Sequence, residues 1–376
     1  MKKKIVAAIL SLAMVFSLAA CGGSSSADNT ASSGSSEGAE TKEETAEKGT
    51  EQASGNKEAP FIGLSYDGIG ANYYFRESYI AAIEYLDGLK AEGRIRDYVF
   101  LDANNDATKQ QQDIRDLISM GVDAILYQPF TAEAVSGVLK EAQQAGIITT
   151  AWGRDAASEK DLFTIVPDDY TDGYETAKYV MQNIPEGGNY YLIKGMTGDP
   201  TGDYRWQGAL DAIAEYNPTA VCIGEGFGEY TYAVGKQLME DLIVANPNVD
   251  GIIAFGGSSG LAAVDVLNEH GMDLVPIGTD GNNGFLKAEK AAMEAGQDVK
   301  FCCAVVDPNL IISATDMLLE YMENGNLPEN PYMFADMPFI HADNIDEYLR
   351  EDLNDNYFPG SLASTETLLE VFKIGE

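Results

Sequence analysis

The residues of this chain that most resemble catalytic machinery lie in a short stretch rich in glycine and serine. Residues 256–260, GGSSG, fit the G-x-S-x-G pattern with which serine hydrolases present a nucleophile between a strand and a helix. Such an enzyme also requires an acidic residue and then a histidine later in the chain. Asp280 and His341 satisfy this order, so Ser258 is a candidate nucleophile.

A structural role for the same residues is the favoured interpretation. His270 and His341 are the two histidines of the chain, and no His-Gly-Gly-Gly loop, which often supplies an oxyanion hole, precedes the serines. Glycines suit a tight turn, and Ser258 or Ser259 would cap the helix that follows. We expect Ser258 to be a cap or a ligand contact, and a serine hydrolase is the least favoured function.

A second apparent site resembles the start of a calcium-binding loop. Asp102, Asn104 and Asp106 have its spacing, but Ala107 and Asp113 stand where such a loop needs Gly and Glu. We therefore interpret these residues as a helix N-terminus. Cysteine and histidine spacings typical of zinc sites are absent from the sequence as well, so no metal site is predicted.

The N-terminal 58 residues differ in composition from the rest. A basic start and the apolar residues 5–20 are typical of a secretory signal peptide, and this run is shorter than the about 20 residues of a membrane span. It ends in LAACG, which resembles the lipobox of bacterial lipoproteins, so residues 1–20 are the predicted signal peptide and Cys21 the predicted lipid-carrying N-terminus. Residues 21–58 lack large apolar side chains and are predicted to be a disordered tether.

The charge balance excludes one class of partner. The chain carries 24 Lys and Arg against 60 Asp and Glu, for a net charge of −36. A surface this acidic is repelled by the phosphate backbone of nucleic acids and by anionic lipid. Nucleic acid is therefore not an expected partner.

Ten short strand-like runs, each followed by a helical pattern, organise the remainder. They begin at residues 61, 97, 122, 146, 161, 188, 219, 249, 273 and 299. Strands that alternate with helices indicate parallel sheets with right-handed crossovers. Two sets of five predict an α/β fold of two doubly wound parallel-sheet lobes, whose ligand crevices lie at the carboxyl ends of the strands.

The order of these elements resembles the type I periplasmic-binding-protein family, in its ribose- and galactose-binding branch. The motifs that carry the resemblance are NYYF (72–75), RWQG (205–208), GTDG (278–281) and VDP (306–308), and the similarity covers roughly residues 60–348. The resemblance implies three hinge crossings, near Pro167, near Val306 and at 336–338. It divides the body into a first lobe, residues 59–166 plus 307–336, and a second lobe, residues 167–306 plus 337–376.

The resemblance also implies a ligand site between the lobes. The positions that match the family's ligand contacts are Asn72, Tyr74, Phe75, Arg154, Tyr230 and Asp280. Other positions depart from the family: Gly153 stands for the Asp before Arg154, Asp203 for an Arg, Gly256 for an Asn and Val306 for a Gln. These departures argue against ribose recognition in the usual manner and leave a sugar or related polar solute as the expected ligand.

Two further residues complete the predicted site. Trp152 falls at a strand end, where an aromatic ring would form an apolar wall, and packing in the core is its alternative role. Asp203 and Asp280 together would suit a positively charged ligand such as an amino sugar, as an alternative to a neutral sugar.

The implied function is that of a solute-binding lipoprotein of an ABC importer, anchored to the outer face of the cell membrane. Its implied partners are a sugar-like small molecule and the permease subunits, and we expect a monomer without a cofactor that is not an enzyme. A sensor that reports the same ligand to a chemoreceptor or sensor kinase is the alternative function.

Overall fold

The computed structural model describes residues 58–70, 72–155, 157–197 and 199–375. The predicted signal peptide, Cys21 and the predicted tether up to residue 57 lie outside these ranges. Within them, none of the helices combines the length and the apolar character that crossing a bilayer requires.

Two six-stranded sheets form the framework. The first contains β1 (Phe61–Tyr66), β2 (Asp97–Asp102), β3 (Ala124–Tyr127), β4 (Ile148–Trp152), β5 (Thr164–Val166) and β11 (Tyr332–Phe334), in the order β11-β5-β4-β3-β1-β2. The second contains β6 (Asn189–Lys194), β7 (Val221–Phe227), β8 (Gly251–Ala254), β9 (Ile277–Asp280), β10 (Phe301–Ala304) and β12 (Phe339–Ile340), in the order β12-β10-β9-β8-β6-β7. All neighbouring strands are parallel except β10 and β12.

Helices connect the strands and cover both faces of each sheet. They are α1 (Tyr73–Ala91), α2 (Ala107–Met120), α3 (Ala132–Gln144), α4 (Asp169–Asn183), α5 (Pro200–Tyr216), α6 (Tyr232–Ala245), α7 (Gly257–Glu269), α8 (Asn283–Glu294), α9 (Leu310–Asn324) and α10 (Thr365–Val371). Asp106 caps α2 by accepting hydrogen bonds from the backbone N–H groups of Thr108 and Lys109. The calcium-like spacing is therefore a helix start, as the sequence indicated.

Alternation along the strands divides each lobe's core into two layers. On β3, Ala124 and Leu126 join the cluster formed with α1 and α9, whereas Ile125 and Tyr127 join the cluster formed with α2 and α3. Successive strand residues point to opposite faces, so a fully apolar strand requires helices on both sides of the sheet. The doubly wound α/β fold predicted from the sequence is thus confirmed.

The chain passes between the sheets at three short segments: 167–168 after β5, 305–309 after β10 and 335–338 after β11. Neighbouring segments are joined to one another, because Ala335 N–H donates to Val166 O (2.8 Å) and Val305 N–H to Pro338 O (2.9 Å). Each segment leaves the carboxyl end of a strand, so the carboxyl edges of the two sheets face each other.

The sequence did not predict β11 and β12. They span three and two residues, which is too short for an alternating pattern to be visible. Pairing with β5 and β10 at the sheet edges defines them instead.

The C-terminal residues differ from the expected assignment of 337–376 to the second lobe. Leu353, Tyr357, Leu368 and Phe372 are buried in the cluster that contains α1 and α9 of the first lobe. These side chains cover apolar surface of α1 and α9 that would otherwise meet water, and such burial is favourable. We call residues 350–372 the C-terminal strap.

The strap is hydrogen-bonded to both lobes. In the second lobe, Asn283 Nδ2 donates to Arg350 O (2.7 Å) and Leu353 O (3.2 Å). In the first lobe, Phe358 N–H donates to the Glu77 carboxylate (2.9 Å). The strap therefore adds a fourth connection between the lobes.

The three cysteines of the body are free, and they differ in exposure. Cys302 and Cys303 are buried, whereas Cys222 lies on the edge strand β7 and is exposed.

Candidate ligand-binding site

The first lobe places an ion pair at the carboxyl edge of its sheet. Arg154, just after β4, has its Nη2 3.1 Å from Asp67 Oδ2, just after β1. Arg154 Nη1 also donates to Phe130 O (3.1 Å), and the guanidinium lies 6.0 Å from the centre of the Phe75 ring. The Arg154 side chain remains 37% exposed, whereas that of Asp67 is 2% exposed. The pair therefore presents its cationic end to the space between the lobes.

Asn72, Tyr74 and Phe75 lie at the start of α1, beside this pair. Asn72 is exposed, and its Oδ1 caps α1 by accepting from Phe75 N–H (3.0 Å). Tyr74 donates its hydroxyl to Asp307 O (2.9 Å) in the second hinge segment. Burial raises the pKa of Tyr74, and the charges of Asp169 and Arg205 also influence it. Tyr74 therefore lies close to the second lobe's polar residues.

Trp152 occupies the core beneath the first-lobe pair. It is 2% exposed and stacks on Tyr66 with ring centres 5.0 Å apart. This placement supports the packing role that the sequence left open as the alternative. Trp152 would then shape the floor under Arg154 without exposing its own ring face.

The second lobe gathers three carboxylates around the guanidinium of Arg205. Asp280 Oδ2 lies 2.9 Å from Arg205 Nη1, and the other Asp280 oxygen accepts from Gly256 N–H. Arg205 Nε lies 3.0 Å from Asp169 Oδ1 and 2.9 Å from Asp172 Oδ2. Only Asp280 among these residues was predicted as a site residue, because RWQG was interpreted as a fold motif.

Burial controls the protonation of this cluster. It raises the pKa of Asp169 to about 6, although Arg205 lowers it, and it raises the pKa of Asp172 as well. One buried guanidinium cannot neutralise three carboxylates. Burial of the remaining negative charge is unfavourable, which is why the pKa values of Asp169 and Asp172 are raised. Asp280 uses one oxygen for Arg205 and the other for a backbone N–H, which fixes its orientation.

Tyr230 lies beside Asp280's loop in a strained backbone conformation. Tyr230 and Glu229 have φ of +53° and +51°, which non-glycine residues adopt at a cost of about 1–3 kcal/mol. The Tyr230 hydroxyl donates to Asp199 Oδ2 (2.8 Å), at the start of α5. Gly256 has φ +103°, and a Cβ there would lie 2.8 Å from the Tyr230 ring. Glycine at 256, where the resemblance implied an Asn, thus makes room for Tyr230.

Asp203 lies in the first turn of α5 and is exposed. The carboxylate partners of Arg205 are Asp169, Asp172 and Asp280, so Asp203 stands apart from this cluster. Because Asp280 is already paired with a cation, the case for an ammonium group held between Asp203 and Asp280 is weakened.

Gln128 is a polar residue at the site that the sequence analysis missed. It directly follows β3, is 2% exposed, and its Oε1 has no hydrogen-bond partner among the described residues. Burying a polar atom unpaired is costly, so an unpaired acceptor at a strand end is a candidate ligand contact. The sequence AILYQP (124–129) contains the feature that could have identified Gln128, because a polar residue directly follows a wholly apolar strand.

The hydrolase constellation is not assembled. His341 Nδ1 lies 3.1 Å from the carbonyl of Phe301, the first residue of β10, whereas Ser258 follows the opposite, carboxyl end of β8. His270 contacts Glu240 (2.7 Å) beyond the far end of α7. The expected cap was also wrong, because α7 begins at Gly257 and has no side-chain cap.

The fold is that of a two-lobe protein whose two sheets face each other at their carboxyl edges, and the paired polar groups at these edges form a candidate ligand site. The profile of the periplasmic binding protein domain matches residues 62–324. The chain belongs to this family, in its type I ribose- and galactose-like branch. Its members bind solutes without transforming them, so this chain is a binding protein and not an enzyme.

The relatives with named ligands are distant in sequence, and the alignments cover most of this chain and most of each relative. The ribose import binding protein of Bacillus subtilis (strain 168) is 26% identical over 239 residues, which cover 63% of this chain and 75% of the relative. The xylitol-binding protein of Mycolicibacterium smegmatis is 25% identical over 282 residues, which cover 74% of this chain and 78% of the relative.

A solved structure shows the same fold. It is the periplasmic binding protein component of the arabinose ABC transporter from Shewanella sp. ANA-3, bound to α- and β-L-arabinofuranose. Its TM-score is 0.64 at 24% identity, and the alignment covers 76% of this chain and 93% of the other.

Proposed function

We propose that this chain is an extracytoplasmic solute-binding lipoprotein of an ABC importer that binds a sugar or a related polyol between its lobes. The observation that carries the proposal is the pair of charged groups on the facing edges, Arg154 with Asp67 and Asp280 with Arg205. Carboxylates accept hydrogen bonds from sugar hydroxyls, and guanidinium groups donate to sugar oxygens. The relatives named for ribose and xylitol support this ligand class.

Aromatic residues complete the recognition surface. Tyr74 and Phe75 lie edge to face with ring centres 5.5 Å apart on the first lobe, and Tyr230 lies on the second. Sugar rings have apolar C–H faces, which pack on aromatic rings while their hydroxyls reach the charged groups. Gln128 Oε1 would accept one further ligand hydroxyl.

Closure of the lobes follows from contacts that span both edges. A ligand that contacts Arg154 and Asp280 together gains both sets of interactions only when the edges approach, so it binds the closed form more tightly and increases its population. The hinge segments 167–168, 305–309 and 335–338 are the places where the backbone would rotate. The closed form would then present both lobes to the permease subunits.

The anchor is the part of the proposal that rests on sequence alone. Lipidation of Cys21 would hold the chain at the outer face of the cell membrane, with residues 22–58 as the tether. Loss of the protein from the membrane fraction in Cys21→Ala, with the wild type retained there, is the expected result. An unchanged distribution would contradict it.

A thermal-shift panel on residues 58–376 tests the ligand class. Pentoses, hexoses, pentitols such as xylitol, and amino sugars are each added to the wild-type protein. A ligand at one hundred times its Kd stabilises the folded state by about 2.7 kcal/mol, which raises the Tm by several degrees. The control Asp113→Asn, whose carboxylate pairs with Lys109 on α2, should respond as the wild type does.

The outcomes of the panel separate the alternatives. A response to neutral sugars or pentitols supports the proposal. A response to amino sugars alone would favour the alternative of a positively charged ligand. An unchanged Tm with every member of the panel would contradict sugar and polyol binding.

A further inference from the structure

The carboxylate that pairs with Arg154 comes from an unexpected strand. Family resemblance places an Asp at position 153, immediately before the arginine, where this chain has Gly153. Gly153 has φ +70°, and a Cβ there would lie 2.7 Å from Gln128 Nε2. The backbone conformation and the Gln128 side chain therefore both disfavour an Asp at this position.

Asp67 supplies the missing charge from two strands away. It follows β1, which is separated from β4 by β3, so the pair spans two strand spacings, or about 10 Å of sheet. Asp67 Oδ2 lies 3.1 Å from Arg154 Nη2, and Asp67 Oδ1 accepts from Gly68 N–H (2.9 Å). Both oxygens of this carboxylate are thus engaged and their direction is fixed.

The remaining contacts of Arg154 leave one edge free. Nη1 faces the carbonyl oxygens of Pro129 (3.4 Å) and Phe130 (3.1 Å), and the Phe75 ring lies 6.0 Å away. Asp67 is almost completely buried, whereas the Arg154 side chain is more than one-third exposed. A ligand can therefore reach Arg154 without touching Asp67.

We propose that Asp67 is the positioning residue for Arg154: the buried Asp67 carboxylate holds the guanidinium, while the neighbouring positions 153 and 128 carry no charge. The inference rests on the proposed function, because it assigns Arg154 to the ligand. This arrangement changes which hydrogen-bonding groups the first lobe presents to a ligand. A carboxylate at 153 would accept ligand hydroxyls, whereas here the negative charge is buried and the neutral Gln128 amide offers the free acceptor.

The pH dependence of ligand affinity can distinguish a positioning role of Asp67 from a purely structural one, which would leave the affinity independent of Asp67 protonation. Burial raises the pKa of Asp67 to about 6, against the lowering effects of Arg154 and the Gly68 N–H, while Asp102 from β2 raises it further. Tyr66 on β1 also senses the Asp67 charge. Protonation below pH 6 removes the charge that holds Arg154, so ligand affinity should fall as the pH falls through about 6.

The first measurement follows ligand affinity in Asp67→Asn, using the sugar or pentitol that stabilises the wild type most in the thermal-shift panel. Asp67→Asn should raise the Kd 10- to 100-fold at pH 7.5 and abolish the affinity change near pH 6. Combining it with Arg154→Lys should add little beyond the larger single effect, since coupled residues are not additive. Asp113→Asn is the matched control, because Asp113 is a buried carboxylate of the same lobe that pairs with Lys109 (2.7 Å).

The second measurement needs no ligand. Side-chain ¹⁵N NMR of wild-type protein follows the Arg154 Nε signal, assigned by its disappearance in Arg154→Lys. We expect its chemical shift to change with a midpoint near pH 6, as Asp67 becomes protonated, and to stay constant in Asp67→Asn. If Asp67→Asn fails to fold, the wild-type titration alone decides the assignment.

The outcomes distinguish the two claims. Binding by the wild type with an unchanged Kd in Asp67→Asn overturns the positioning role and leaves the proposed function standing. If the panel yields no ligand, the proposed function fails, and the NMR titration still decides whether Asp67 holds Arg154. An Arg154 signal that is flat between pH 5 and 8 overturns the inference.

Discussion

Arg205 is the residue on which the second-lobe edge depends most. It is 4% exposed and approaches three carboxylates within 3.0 Å. Taking a charge out of water is expensive, and removing one partner of a buried ion pair leaves the other without compensation. The cluster therefore ties the orientation of Asp280 to the stability of the lobe.

Replacement of this cation should be costly and dependent on pH. Arg205→Met leaves Asp169, Asp172 and Asp280 without a cation, so we expect a loss of about 3–5 kcal/mol in unfolding free energy at pH 8. The loss should shrink at pH 5.5, where carboxyls with a raised pKa can protonate. Urea unfolding at the two pH values measures both quantities.

A surface arginine provides the control. Arg94 is 37% exposed and lies 3.4 Å from Glu323, and exposed pairs contribute only about 0–1 kcal/mol. Arg94→Met should therefore change little at either pH. Equal losses in the two variants would contradict a buried charge cluster.

The sequence predicted residue types at this site better than residue partners. Arg154, Tyr230 and Asp280 were expected at the site because they match ligand positions implied by the family resemblance, which compares residues along the chain. Their partners Asp67 and Arg205 lie on other strands or helices, and pairing over such distances depends on the folded arrangement. The direction of the Trp152 ring is likewise set by its packing on Tyr66.

At the scale of elements, strands β1–β10 were predicted because each is a short strand-like run followed by a helical pattern. The C-terminal strap was not predicted, because its buried residues are scattered through turns and one short helix, α10. Their common feature is the apolar surface of α1 and α9 that they cover, and that surface is defined only after the helices pack.

The interface of α1 and the strap should make stability depend on pH. Burial raises the pKa of Glu77 to about 8, although hydrogen bonds from Phe358 N–H and Ser361 lower it. Since the folded-state pKa exceeds the unfolded value, this group stabilises most below about pH 4, and that contribution is lost as the pH rises through about 8. Glu77→Gln is neutral throughout, so its stability relative to wild type should rise by about 1.4 kcal/mol per pH unit between pH 5 and 8.

Glu84 supplies the matched control for this prediction. It lies on the same helix and accepts from Ser364 N–H of the strap (2.8 Å), and this hydrogen bond lowers the pKa of Glu84. Glu84→Gln should therefore gain nothing as the pH rises. Urea unfolding from pH 5 to 8 follows both variants, and parallel curves for wild type and Glu77→Gln would contradict the account.

At the scale of the whole molecule, the proposed function requires both lobes. Arg154 and Asp67 belong to the first sheet's edge and Asp280 and Arg205 to the second's. The hinge segments hold the two edges face to face, and the strap adds contacts to α1 and α8. A ligand bound to one lobe alone would leave half of these groups unused and would give closure no advantage.

The most direct test of this two-lobe account is a calorimetric titration of one variant from each lobe. Arg154→Met and Asp280→Asn are titrated with the sugar or pentitol that stabilises the wild type, beside Asp113→Asn as control. A hydrogen bond to a charged group contributes about 1.5–3 kcal/mol, so each site variant should raise the Kd at least tenfold and the control should not. A full loss in one variant with unchanged affinity in the other would place the ligand on a single lobe and contradict the account.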